Sequence, residues 1–169
     1  MKLEGDITIN GKAHKKGSSI SGLAIYPFFM IHMLMFGGSG FFMAYADKSA
    51  PIFFLYLHGG FAIFVYCIFY LAIFGKEQVK WMFINAALGI FGIYTEIDWL
   101  LGLFGKHVRD FPIYVHVIPF LYYVLYTFLL RQALLDLTGA RGDETREKLI
   151  NVLYVVISLV VYGLFYFFG

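Results

Sequence analysis

The sequence predicts an all-α integral membrane protein, a bundle of five transmembrane helices with the N-terminus inside and the C-terminus outside. Three observations predict it. Hydrophobic residues make up 60% of the 169 and charged residues only 14%, with a mean hydropathy of +0.75, well outside the range of soluble domains. The apolar residues are gathered into five long runs, and about 20 residues at 1.5 Å each cross a roughly 30 Å hydrocarbon core. The Lys and Arg residues between those runs fall mainly on one side of the implied membrane.

Residues 1–19 are polar and basic (Lys2, Lys12, His14, Lys15, Lys16) and read as a cytoplasmic tail or surface-lying arm. The first span covers 20–44. The Ala44-Tyr45-Ala46 sequence at its end resembles a signal-peptidase site, but this apolar run is longer than a signal core of about 7–15 residues. It reads as an uncleaved membrane helix. A loop at 47–50 leads to Pro51, a residue suited to a helix start, and the second span covers 52–74. The polar stretch 75–80 is the next turn, and the third span covers 81–104. The segment 105–110 closes that span, and the fourth covers 111–130, with an amphipathic extension toward Leu137. The hydrophilic connection 138–148 precedes the fifth span at 149–168, and Asp143 is a candidate N-cap within it. Together 20–169 form one five-helix domain.

With the N-terminus inside, ten Lys and Arg residues lie in cytoplasmic segments and only Lys48, Lys106 and Arg109 lie outside. That asymmetry is the positive-inside pattern of a cell (inner) membrane protein. A net charge of +2 gives no footprint for a nucleic-acid partner. The single cysteine, Cys67, rules out an internal disulfide and any multi-cysteine metal or iron–sulfur site within this chain. No internal repeat is seen, which argues against a transporter built from duplicated halves.

The third span is the most informative. It carries Asn85, Glu96 and Asp98 inside an apolar run, and an acid at membrane depth marks a functional site by default. Helical spacing puts Asn85, Gly89, Gly92 and Glu96 on one stripe, with Asp98 about 200° further round and facing elsewhere. Rise per residue puts His58 about 10 Å, His116 about 8 Å and Glu96 about 12 Å below the outer surface. His107 sits above them in the outer loop, and His32 lies near mid-membrane. On the fourth span His116, Pro119, Tyr123 and Thr127 form a second polar stripe, which Pro119 is expected to bend.

These residues support three kinds of chemistry. In a redox subunit, His58 and His116, with His32 a further ligand, would hold a b-type haem, and Glu96 would be the catalytic group exchanging protons with a quinone or quinol. In a metal site, His58, Glu96 and His116, joined by His107 or Asp98, would hold copper, zinc or iron. In a small proton or cation channel or carrier, Glu96 would lie on the path. Without any cofactor, the same groups would bond across helices in a structural or accessory subunit. Transmembrane histidines at matched depth, His58 and His116 with His32, loosely resemble those of the cytochrome b-type membrane subunits of respiratory complexes. The resemblance implies haem ligation, although the four-histidine set for two haems is incomplete unless His32 or His107 joins it. The aromatic content of 21% calls for lipid, other membrane subunits or further copies of the chain as partners.

Overall fold

The computed structural model describes residues 2–9, 11–46 and 51–168, and the loop expected at 47–50 lies outside the described residues. Among the described residues five helices are long and apolar enough to cross a membrane: Ile25–Tyr45, Ile52–Val79, Trp81–Gly102, Ile113–Leu137 and Glu144–Phe168. They follow the five runs of the sequence. The elements in order are strands β1 (Ile7–Ile9) and β2 (Lys12–His14), then helices α1 (Gly22–Tyr45), α2 (Ile52–Val79), α3 (Trp81–Gly92) and α4 (Asp98–Gly102), with α5 (Val117–Leu137) and α6 (Glu144–Phe168) last.

Helix α5 is the axis of the bundle. It packs against α1, α2, α3 and α6, and Ile118, Tyr122, Leu125, Phe128 and Leu129 along it are buried. Its partners on the α1–α2 side are Phe29, Met33, Leu55, Tyr70 and Phe74. Helix α6 is the opposite extreme, buried only at Tyr154 and Tyr162. Both of those tyrosines turn toward α3 and α5.

The N-terminal segment is folded. β1 and β2 pair antiparallel, with Ile7 opposite His14 and Ile9 opposite Lys12. Leu3 and Ile7 are 1% and 7% exposed, and β1 packs on α2. The Glu4 amide donates to the Ala72 carbonyl at 3.0 Å, tying this segment to the end of the second span. The sequence did carry the signal: Asn10-Gly11 between two short runs is a strong hairpin marker.

Helix α2 breaks at Gly75, whose φ of 81° and ψ of 165° are not helical, so the apolar part of the second span ends at Phe74 as the composition indicates. A β-carbon at Gly75 would lie 2.9 Å from the Glu4 side chain. Glycine is needed there both for its positive φ and for the close pass of the N-terminal segment.

The third span is not a uniform α-helix. Between α3 and α4 the chain winds as a π-helix over Ile93–Ile97, and the Asp98 amide donates to the Ile93 carbonyl five residues back. The Thr95 hydroxyl donates to the Phe91 carbonyl at 2.9 Å, a back-bond of the kind that bends helices. The start of the fourth span also departs from expectation. Residues Ile113–His116 form a 3-10 turn, so Pro119 falls in the first turn of α5, where its missing amide proton is no loss. It makes no internal kink.

Candidate functional site

Glu96 lies in the π-helical stretch, and such turns are frequent at functional sites. Its carboxylate accepts a hydrogen bond from the Tyr123 hydroxyl at 2.8 Å, and Tyr123 is in turn 2.7 Å from the Tyr162 hydroxyl. Three spans thus contribute one group each. The small residues of the third span permit this contact: a β-carbon at Gly92 would lie 2.6 Å from the Tyr123 ring and hydroxyl, and one at Gly89 would lie 3.1 Å from Phe120. The stripe of Asn85, Gly89, Gly92 and Glu96 therefore does face the bundle.

The direction of the hydrogen bonds is set by proton count. While Glu96 is ionised it can only accept, so Tyr123 gives it its single proton, and Tyr162 must donate to Tyr123. A proton on Glu96 would let both bonds run the other way without moving a heavy atom.

A cavity of about 530 Å³ opens beside these three groups between α5 and α6. Glu96, Tyr123 and Tyr162 line one end, and Thr127, Tyr154 and Ser158 follow, with Leu134 and Ile150 at the far end. From Tyr123 to Leu134 the α-helical rise is about 16 Å, half the hydrocarbon thickness. Below Glu96, the Tyr154 hydroxyl is 3.2 Å from both Asn85 Oδ1 and the Thr127 carbonyl. Asn85 is buried, and its Nδ2 has no hydrogen-bond partner.

The polar face continues to Arg131, which is wholly buried. Its Nε donates to Asn151 Oδ1 and its Nη1 to Gln78 Oε1, each at 2.9 Å. Its guanidinium lies 3.9 Å over the Trp81 ring, and its Nη2 is 3.7 Å from Glu147. Gln78 Nε2 donates to the same Glu147 carboxylate at 3.0 Å. Trp81 is therefore a platform for this cation. Next to it, Asp136 accepts from Tyr26 and Arg141. Burial disfavours the Arg141 charge, but the Asp136 carboxylate outweighs it and holds that guanidinium above its ordinary pKa.

The remaining sequence-selected residues occupy separate places. His116 is buried, with Nδ1 2.8 Å from the Tyr45 hydroxyl and Nε2 3.3 Å from the Phe111 carbonyl. A metal or haem iron could take either nitrogen only by breaking one of those bonds. The His116 side chain thus points to α1, whereas Tyr123 and Thr127 point to α3 and α6. The polar stripe expected along the fourth span is split because the 3-10 turn winds by three residues rather than 3.6. His58 faces α1 through Ser39 at 3.2 Å. His107 and Asp98 do meet, at 3.4 Å, and Asp98 also accepts from the Val108 amide at 2.7 Å. That pair holds the loop after α4. Among the described residues no group of three or more His, Cys, Asp or Glu side chains lies close enough to hold a metal ion.

Sequence reasoning missed Tyr162, Tyr154, Asn151 and Arg131 as members of the site. A signal was present in the last span, where Asn151, Tyr154, Ser158 and Tyr162 recur at spacings of three and four, one polar stripe on an otherwise apolar helix. Compared with known protein families, curated proteins and solved structures, the chain matches none.

Proposed function

We propose that this chain is a multi-pass cell-membrane protein that conducts or carries protons, with Glu96 as the group that takes up and releases them. The observation that carries the reading is the Glu96–Tyr123–Tyr162 hydrogen-bonded line, at 2.8 and 2.7 Å, set on a π-helical turn at the end of a membrane-depth cavity. In the N-in, C-out orientation favoured by the charge bias, Glu96 lies in the outer half of the membrane. The cavity and the Tyr154–Asn85 pair then lead inward, and Arg131 with Glu147 closes the inner end. One carboxylate among hydroxyls suits a proton better than calcium or magnesium, which require about six or more oxygen ligands.

A role as one subunit of a larger energy-coupling complex is compatible with this reading, since the exposed length of α6 would be covered by lipid or by another membrane protein. A haem- or metal-bearing redox centre made of His58, His116 and Glu96 has less support. His116 already uses both nitrogens, and the three residues each have different partners.

The test is proton flux into vesicles containing the purified protein, followed with an internal pH dye under an imposed potential. Glu96→Gln should lower the flux by about tenfold or more, and Glu96→Asp should restore part of it. Equal flux for Glu96→Gln and the native protein, with helix content unchanged, overturns the proposal. Flux that follows a sodium or potassium gradient instead of pH would assign the path to a metal cation.

A further inference from the structure

On the other side of α5 from Glu96, α1 and α2 enclose a second cavity of about 510 Å³. Its walls are aromatic, with Phe28, Phe36, Phe54, Phe61, Tyr66 and Phe69 among them, and the imidazoles of His32 and His58 also line it. Phe54 and Phe61 at its edge are 59% and 69% exposed, so it opens where the bundle meets lipid.

The hydrogen-bond network assigns the tautomer of each histidine. His32 Nδ1 is 2.7 Å from the Phe28 carbonyl; a carbonyl only accepts, so Nδ1 carries the proton. In the neutral ring Nε2 is then a bare acceptor. The Ser39 hydroxyl donates its one proton to the Phe36 carbonyl at 2.8 Å. Its oxygen can therefore only accept from His58 Nε2 at 3.2 Å, which leaves His58 Nδ1 as the bare acceptor. Neither His32 Nε2 nor His58 Nδ1 has a hydrogen-bond partner among the described residues. Hydrocarbon offers such nitrogens nothing, and an unpaired polar group in an apolar medium is costly.

The chamber thus presents two imidazole acceptors, with the Tyr66 phenol also on its ring-lined walls. His32 and Ser39, which holds His58, stand two turns apart on one face of α1, about 10 Å by helical rise. A flat aromatic ring with hydroxyl donors at its opposite ends offers one donor to each of the two acceptors. We infer that the His32–His58 chamber binds a lipid-soluble para-diphenol, a quinol, from the bilayer, with one hydroxyl given to His32 Nε2 and the other to His58 Nδ1. The oxidised quinone, which has only acceptors, meets acceptor against acceptor with neutral histidines and is disfavoured. The inference concerns binding alone and does not depend on the proposed role of Glu96.

The experiment measures binding of reduced decylubiquinone, its oxidised form and its dimethyl ether to the native protein in lipid nanodiscs, by equilibrium dialysis without oxygen. The quinol should bind about tenfold or more tightly than either analogue, the loss expected when a hydrogen bond to a buried acceptor is missing. Ser39→Ala, which removes the acceptor that fixes the His58 tautomer, should weaken quinol binding several-fold, and His32→Phe should weaken it more. Glu96→Gln should leave binding unchanged, so failure here and failure of proton flux are read separately. Equal binding of quinol and dimethyl ether, or no effect of Ser39→Ala and His32→Phe, would show an unselective lipid groove and overturn the inference.

Discussion

Tyr123 reaches Glu96 across a gap that only Gly92 leaves open: the phenol lies 2.8 Å from the carboxylate, and a β-carbon at Gly92 would lie within 2.6 Å of the phenol itself. The clash is with the tip of the ring and its hydroxyl, so relieving it moves the very group that bonds Glu96. Gly92→Ala should therefore displace Tyr123, cost about 1–3 kcal/mol as overpacking does, and lower proton flux together with Tyr123→Phe. Thermal unfolding in detergent and vesicle flux check both parts. An alanine variant with native stability and flux would mean that Tyr123 has another way to Glu96.

Arg131 should prove the most sensitive single position on the inner side. It is fully buried, bonds Asn151 and Gln78 and stacks on Trp81. Removing one partner of a buried charged network leaves the others unpaired, at about 3–5 kcal/mol. Arg131→Met should lower resistance to chemical unfolding by about that amount, since Glu147 and Gln78 lose their cation. Arg131→Lys should recover only a minority of it, because an ammonium neither forks to two acceptors nor stacks as a plane. Full recovery by lysine would show that charge alone is what the site requires.

These two positions also mark the border of what the sequence discloses. The spans follow from hydrophobic run length, and the inward facing of Glu96 from its place in line with Asn85, Gly89 and Gly92. Both are properties of one helix. The π-helical turn is not such a property: around it Asp98 accepts from the Val108 amide and Glu96 from Tyr123, contacts that no single-helix pattern discloses. The position of His116 failed for a related reason, since a 3-10 turn before α5 changes the phase of everything ahead of Val117. Arg131 looked like one more cytoplasmic charge because nothing local reveals that Trp81, Gln78 and Asn151 converge on it. The hairpin was legible in Asn10-Gly11 and was obscured by the basic composition around it.

The start of α6 was legible, and it gives a quantitative check. Asp143 Oδ1 accepts from the Thr145 and Arg146 amides, each at 3.1 Å, and so caps two of the free donors at the helix start. Asp143→Ala should cost about 1 kcal/mol, and Asp143→Asn much less, since an amide oxygen caps as well. Amide exchange at Thr145 and Arg146 should quicken in the alanine variant while exchange at Tyr154 stays slow. Uniform quickening along α6 would mean that the cap controls docking of the whole helix.

The hairpin gives the pH prediction. Asp6 Oδ1 accepts from the Lys16 amide at 2.7 Å, and Asp6 Oδ2 is 3.4 Å from the Lys15 ammonium. The Lys16 amide first, and then Lys15, hold the Asp6 carboxyl below its ordinary range. A carboxylate with a lowered folded-state pKa stabilises the fold at any pH above its unfolded value of about 3.9, and that contribution fades as the pH falls through the lower folded value. Neutral and mildly acidic solutions should therefore leave the Lys15–Lys16 turn equally protected, and loosening should begin only below about pH 4. Asp6→Asn should loosen it wherever Asp6 is ionised, because an amide oxygen is a weaker acceptor from Lys16 and offers Lys15 no charge. Proteolysis by a lysine-specific protease at pH 7, comparing the native chain with Asp6→Asn, reads the second effect; amide exchange at Lys16 across pH 3–6, each value referred to Asp6→Asn at the same pH, reads the first. Because Asp6 is fully exposed, salt should screen the Lys15 pairing and leave the bond to the Lys16 amide in place. If loosening of the native chain instead set in between pH 5 and 6, Asp6 would not be its cause.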